Sequence, residues 1–178
     1  YKEQVKKDIA NVRDKVDVLI VAMHWGVEYV LLPNASQKEL ANFLTEEGVD
    51  LIIGGHPHVI QPMEMRWSKA HNKKVFLIYS LGNLISNMTT KDTRGGALAK
   101  IKLVRDANGN PVVDSASYRL VFTLQPGGGS KNFRLIPVED YTSGSLKSHC
   151  NVFVNNAEKI FNKHNIDVPR DTTPIRAK

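Results

Sequence analysis

Three continuous apolar runs, each ending in a cluster of glycine and polar residues, restrict this chain more than any other feature. Val18-Leu19-Ile20-Val21-Ala22-Met23 leads into His24-Trp25-Gly26-Val27-Glu28-Tyr29. Val49-Asp50-Leu51-Ile52-Ile53 leads into Gly54-Gly55-His56-Pro57-His58, and Val75-Phe76-Leu77-Ile78-Tyr79 into Ser80-Leu81-Gly82-Asn83. Apolar runs of this length without alternation are the mark of strands covered on both faces. Between the first two lies a helical pattern with Leu40, Phe43 and Leu44 on one face. Ser36 followed by Glu39 reads as its capping box, and Gly48 as its stop. Strand–helix–strand alternation predicts a parallel α/β sheet, in which ligands bind beyond the carboxyl ends of the strands.

The flanks are simpler. Residues 1–15 read as a helix with Val5, Ile9 and Val12 on one face, and residues 59–74 as a less regular stretch. From Gly95 the pattern alternates, turns at Asn108-Gly109-Asn110, and resumes over 112–124; Asn-Gly tolerates the positive φ that a tight hairpin needs. Residues 125–130 read as a flexible turn, 133–138 as a further antiparallel strand, and 145–163 as an amphipathic helix carrying Leu146, Cys150, Phe153, Ala157, Ile160 and Phe161. The tail after Asn165 reads as irregular.

A chain of 178 residues suits one domain with a small appendage. Lys and Arg number 24 against 18 Asp and Glu, a net charge of +6. Such an excess serves either a solvated surface or the attraction of an anionic ligand. No arginine-rich stripe with interleaved aromatics is present, so nucleic acid is not an expected partner. A single cysteine, Cys150, excludes an intrachain disulfide and a zinc–thiolate cluster, and reads as a small core residue. No apolar stretch approaches the ~20 residues that cross a bilayer. The chain opens on Tyr1 within a helical pattern, from which we expect a C-terminal piece of a longer protein, with any export signal or anchor upstream.

The chemistry-bearing residues cluster at the predicted strand ends. His56 and His58, two apart in a segment read as extended, would face one cavity, and imidazole suits zinc, iron, manganese and copper. His24 ends the preceding strand. Glu28 is a candidate metal ligand, a partner orienting an imidazole, or a general base. Trp25 and Tyr29 are candidate pocket walls, or ordinary packing residues, the reading preferred for Trp25. Asn83 is a candidate to hydrogen-bond a ligand oxygen or a metal-bound water, or else a turn residue, and Arg94 either grips a phosphate or carboxylate or forms a surface salt bridge.

The motifs His24-Trp25-Gly26-x-Glu28-Tyr29, Gly55-His56-Pro57-His58-Val59-x-Gln61-Pro62 and Tyr79-Ser80-Leu81-Gly82-Asn83 resemble, in that order, the bacterial poly-γ-glutamate capsule-synthesis family (CapA/PgsA-like). That family is similar to a branch of the calcineurin-like metallophosphoesterases. The resemblance covers about residues 1–140. It implies the C-terminal portion of a four-layer α/β sandwich over residues 1–141, with residues 142–178 as a helical extension. It implies divalent metal ions (Mn, Zn or Fe) at the strand ends, His24 and His56 on one ion and His58 on a second. Glu28, Asn83 and Arg94 would then be catalytic, and Trp25, Tyr29 and Gln61 substrate-binding. The family's early Asp-rich and Asn-His motifs do not occur in this sequence. From that we expect weak or no metal binding by this chain alone, little activity, and a bared sheet edge open to self-association.

The implied setting is the cell envelope, in an exported protein anchored upstream and working with other capsule-synthesis membrane proteins. The implied role is biosynthesis or export of a capsule polymer, on an acidic polymer or a phosphoester. Two alternatives stand beside it: a metal-dependent phosphoesterase, and a non-catalytic subunit that binds an acidic polymer.

Overall fold

The computed structural model describes residues 1–127 and 131–173. In chain order the elements are α1 (Lys2–Arg13), β1 (Ile20–His24), α2 (Ala35–Glu46), β2 (Leu51–Gly55), β3 (Ile60–Ser68), β4 (Lys73–Leu81), β5 (Gly95–Arg105), β6 (Pro111–Leu124), β7 (Arg134–Pro137) and α3 (Lys147–His164). The three apolar runs become β1, β2 and β4, which lie parallel in a sheet of order β1-β2-β4-β3. Their carboxyl ends therefore share one edge. The antiparallel meander forms a second sheet of order β5-β6-β7. Of the turn expected over 125–130, residues 128–130 lie outside the described residues.

Four expectations need correction. Residues 60–68 form an edge strand, β3, antiparallel to β4, where an irregular stretch was expected. Its sequence holds one β-branched residue and a proline, which an edge strand tolerates because that position need not donate to a neighbour. The capping box of α2 is Asn34 and Gln37, not Ser36 and Glu39. Asn34 has the extended backbone a cap requires, whereas Ser36 is already inside the helix, and Glu39 instead pairs with Lys2 of α1. β1 is covered on one face only: Ile20 is 57% exposed and Ala22 and His24 point the same way. The tail is not wholly irregular. Ile166 bridges to Glu64 of β3, and Arg170 to Tyr118 of β6.

The first sheet separates two cores. On one face Ile9 of α1 and Ala41 and Leu44 of α2 pack with Ile52, Val75, Leu77 and Tyr79. On the other, Leu51, Phe76 and Ile78 meet Leu120 and Phe122 of the second sheet and Cys150, Phe153 and Phe161 of α3. Each such side chain contributes roughly 1.5–3 kcal/mol on burial. Burial pushes the Cys150 thiol pKa up, as befits a core cysteine.

At the amino end of the sheet, opposite the histidines, Asp50 ties four elements together. Its buried carboxylate accepts from Leu19 N (2.7 Å), Lys73 Nζ (2.6 Å) and Arg13 Nη1 (2.6 Å). Burial alone would raise its pKa; the Leu19 amide and the two cations outweigh that and hold it below the ordinary value. The sheet is thus fixed at one end by charge, which leaves the other end free to carry function.

Candidate metal centre

The parallel register sets His24 beside Gly55, so the end of β1 meets the end of β2 where the His56 loop begins. Two backbone bonds join the loops that follow: Trp25 N donates to Gly55 O (3.2 Å) and Tyr29 N to Pro57 O (2.8 Å). The segment carrying the histidine pair is not extended. His56 has φ 97° and His58 φ 60°, and Tyr29, facing them, has φ 66°. Both imidazoles converge beside Glu28 through left-handed backbone rather than through strand alternation. Non-glycine residues held at positive φ cost energy, and such strain gathers at functional sites.

One oxygen of Glu28 and one ring nitrogen each of His56 and His58 lie within 4.8 Å of one another, a grouping that could hold a metal ion. The His24 ring sits against His56 with centroids 4.4 Å apart, and Tyr29 lies 6.2 Å from the His58 ring. Glu28 thus brings a carboxylate beside the two imidazoles, the position that its reading as a candidate metal ligand requires.

The hydrogen bonds behind His58 decide which of its nitrogens is free. Asn83 Nδ2 donates to the Thr93 carbonyl (3.0 Å) and to Met88 Sδ (3.4 Å), both of which can only accept. Asn83 Oδ1 must then be the atom facing His58 Nδ1 at 3.0 Å, so Nδ1 carries the proton of the neutral ring. Nε2 is left with its lone pair, 3.7 Å from Glu28 Oε1. Two acceptors that close call for a cation or a proton between them. Two ligands each about 2.1 Å from one ion stand roughly 3–3.6 Å apart, so the 3.7 Å seen here lies just beyond the spacing of two ligands on one metal ion. Asn83 was expected at a ligand oxygen or a bound water; here it acts on the ring.

Other candidates sit apart from the cluster. Trp25 is buried in the core beneath the helices, its indole N–H donating to Tyr79 O (2.8 Å). Gln61 is fully buried, accepting from Gln37 Nε2 and donating to Val30 O, both at 2.8 Å. It holds the Glu28 loop to α2 from below. Arg94 stands at the start of β5, half-buried, and forms no hydrogen bond or ion pair with the cluster; its Nη1 is buried with no partner among the described residues. Thr93, buried and in a polar stretch without periodicity, gave no sequence signal.

Two stacked layers around a parallel sheet, with a histidine–carboxylate cluster beyond the strand ends, define part of a metallophosphatase-like α/β fold. Residues 1–88 match the family described as bacterial capsule synthesis protein PGA_cap. The "PGA biosynthesis protein CapA" of Bacillus subtilis (strain 168) is 36% identical over 101 residues, 57% of this chain and 25% of that protein. The "Capsule biosynthesis protein CapA" of Bacillus anthracis is 33% identical over 112 residues, 63% of this chain and 25% of that protein. The chain thus aligns with about a quarter of the length of each. Among the described residues no helix is long and apolar enough to cross a membrane.

Proposed function

We propose that this chain takes part in the biosynthesis of a capsule or similar surface polymer at the cell envelope, and that Glu28, His56 and His58 hold a divalent cation there. The family match and the two capsule-biosynthesis relatives support the first part. The second rests on the unprotonated Nε2 of His58 facing a carboxylate. Two histidines and one glutamate leave coordination positions open, as sites that work on a substrate do. When bound, manganese, zinc or iron would supply Lewis-acid polarisation of an anionic oxygen. His24, packed on His56 but outside the grouping of Glu28, His56 and His58, would orient the first imidazole. Tyr29, 54% exposed beside His58, offers an open wall to an incoming chain.

The excess of six positive charges favours an acidic partner, whether polymer or phosphoester. The two remaining readings separate in one experiment. In a capsule-forming bacterium whose own copy is replaced by the His58→Ala variant, loss of capsule together with loss of metal-dependent hydrolysis of a simple phosphodiester supports catalysis at this site. Capsule retained at the ordinary level would show that the metal is dispensable and leave a polymer-binding role.

A further inference from the structure

The hydrogen bonds behind His58 continue past residue 88, where the family match ends, and reach α3. The Asn83 side chain, 8% exposed, has two orientations open to it in principle. Only the Thr93 carbonyl at 3.0 Å and the Met88 sulfur fix which of its atoms faces His58. Were the amide to reverse, its NH2 would meet Nδ1, the ring would take its proton on Nε2, and the atom facing Glu28 would have no lone pair to give. The placement of one backbone carbonyl therefore sets the chemistry of the His58 ring.

That carbonyl is held from two directions. Thr93 Oγ1 lies 2.8 Å from Thr90 Oγ1, and Thr123 N donates to the next carbonyl, Arg94 O, at 2.8 Å. Immediately before Thr93, the carboxylate of Asp92 accepts from Nδ2 of Asn156 on α3 at 2.7 Å. The end of β6 also grips the loop, with Thr123 Oγ1 donating to Leu84 O (2.7 Å) and Gln125 Nε2 to Asn87 O (2.9 Å). Of these restraints, the Asp92–Asn156 bond is the one that comes from α3.

We infer that Asn156 is a positioning residue for His58: by holding Asp92 it keeps the Thr93 carbonyl on Asn83 Nδ2, and so keeps the His58 proton on Nδ1 and the Nε2 lone pair toward Glu28. The value of that tautomer to a metal rests on the reading proposed above; the tautomer itself does not.

The test uses the metal-free 178-residue chain, at a pH well above the ordinary imidazole pKa of about 6.5. Long-range nitrogen–proton NMR of the His58 ring reads which nitrogen is protonated. Wild type should show Nδ1–H. Asn156→Ala should move part of the population to Nε2–H with its melting temperature little changed, since alanine favours the helix. Cobalt, titrated as probe, should bind about threefold or more weakly, a milder loss than the roughly 10–100-fold typical of direct partners of a ligand. The swap Asp92→Asn with Asn156→Asp rebuilds the bond in reverse and should restore both readings; Asp92→Ala alone should not. Unchanged His58 signals in Asn156→Ala, or a swap that rescues neither reading, would overturn the inference. A tautomer shift in a chain whose wild type takes no cobalt would support the positioning role and count against the metal centre.

Discussion

Glu28 Oε1 stands 3.7 Å from Nε2 of His58, on the side of the ring opposite Asn83. The carboxylate is exposed, yet it faces a nitrogen that has no proton to offer it in the neutral ring. Glu28→Gln keeps the shape and removes the charge. If the pair holds a cation, manganese or zinc affinity should fall by about tenfold or more, as loss of a ligand charge requires. Calorimetry on wild type, Glu28→Gln and His58→Ala decides it: equal isotherms for all three would remove the cation from this position.

Gly54 and Gly55 are adjacent on β2 and should respond differently to the same change. A Cβ on Gly54 would lie 2.1 Å from the Tyr79 carbonyl oxygen and 2.5 Å from the Trp25 indole nitrogen, whereas on Gly55 it would meet its nearest atom, Met23 O, at 4.0 Å. Gly54→Ala must part β2 from β4 or break the Trp25–Tyr79 bond. It should cost about 3 kcal/mol or more, a drop of roughly 6–12 °C in melting temperature for a chain of this size. Gly55→Ala should stay within about 1 kcal/mol. Thermal melts of the pair check both, and similar melting temperatures would contradict the packing described.

Asp50 sets a pH window. Its folded pKa is lowered, so the stability it confers is complete above the unfolded carboxyl value of about 3.9 and is lost as pH falls through the folded value. Asp50→Asn leaves Arg13 and Lys73 without their carboxylate and should cost about 2–4 kcal/mol at neutral pH. Urea unfolding from neutral pH downward should show the gap between wild type and variant closing below about pH 4. A gap that stayed constant would mean that the ion pairs contribute nothing net.

The apolar runs made the sheet readable because β2 and β4 are buried on both faces and leave no room for polar residues. The shared carboxyl edge followed, and with it the neighbouring His24 and His56. β3 was not readable: its burial comes from β4 and from the tail lying along it, which a local pattern cannot show. The same holds at the site. Glu28 was visible as a candidate, but its approach to His58 depends on loops 25–29 and 55–58 being bonded together. His56 and His58 converge by positive φ, which the Gly54-Gly55 flexibility hinted at but did not specify. Thr93 and Asn156 carry no motif; they matter through what they touch.

Residues 165–171 close the structure in a way that bears on its making. Asn165 and Ile166 bond to Met63 and Met65 of β3, while Pro169 and Asp171 bond to either side of Tyr118 on β6. The first of these links spans 102 positions. A loop of that length is slow to close, and none of its reward arrives before the closing residues do. A growing chain can assemble β1, β2 and β4 early, but the belt across both sheets tightens only when its last described residues leave the ribosome. The histidine edge is thus written into the chain long before the belt that ties the two sheets together.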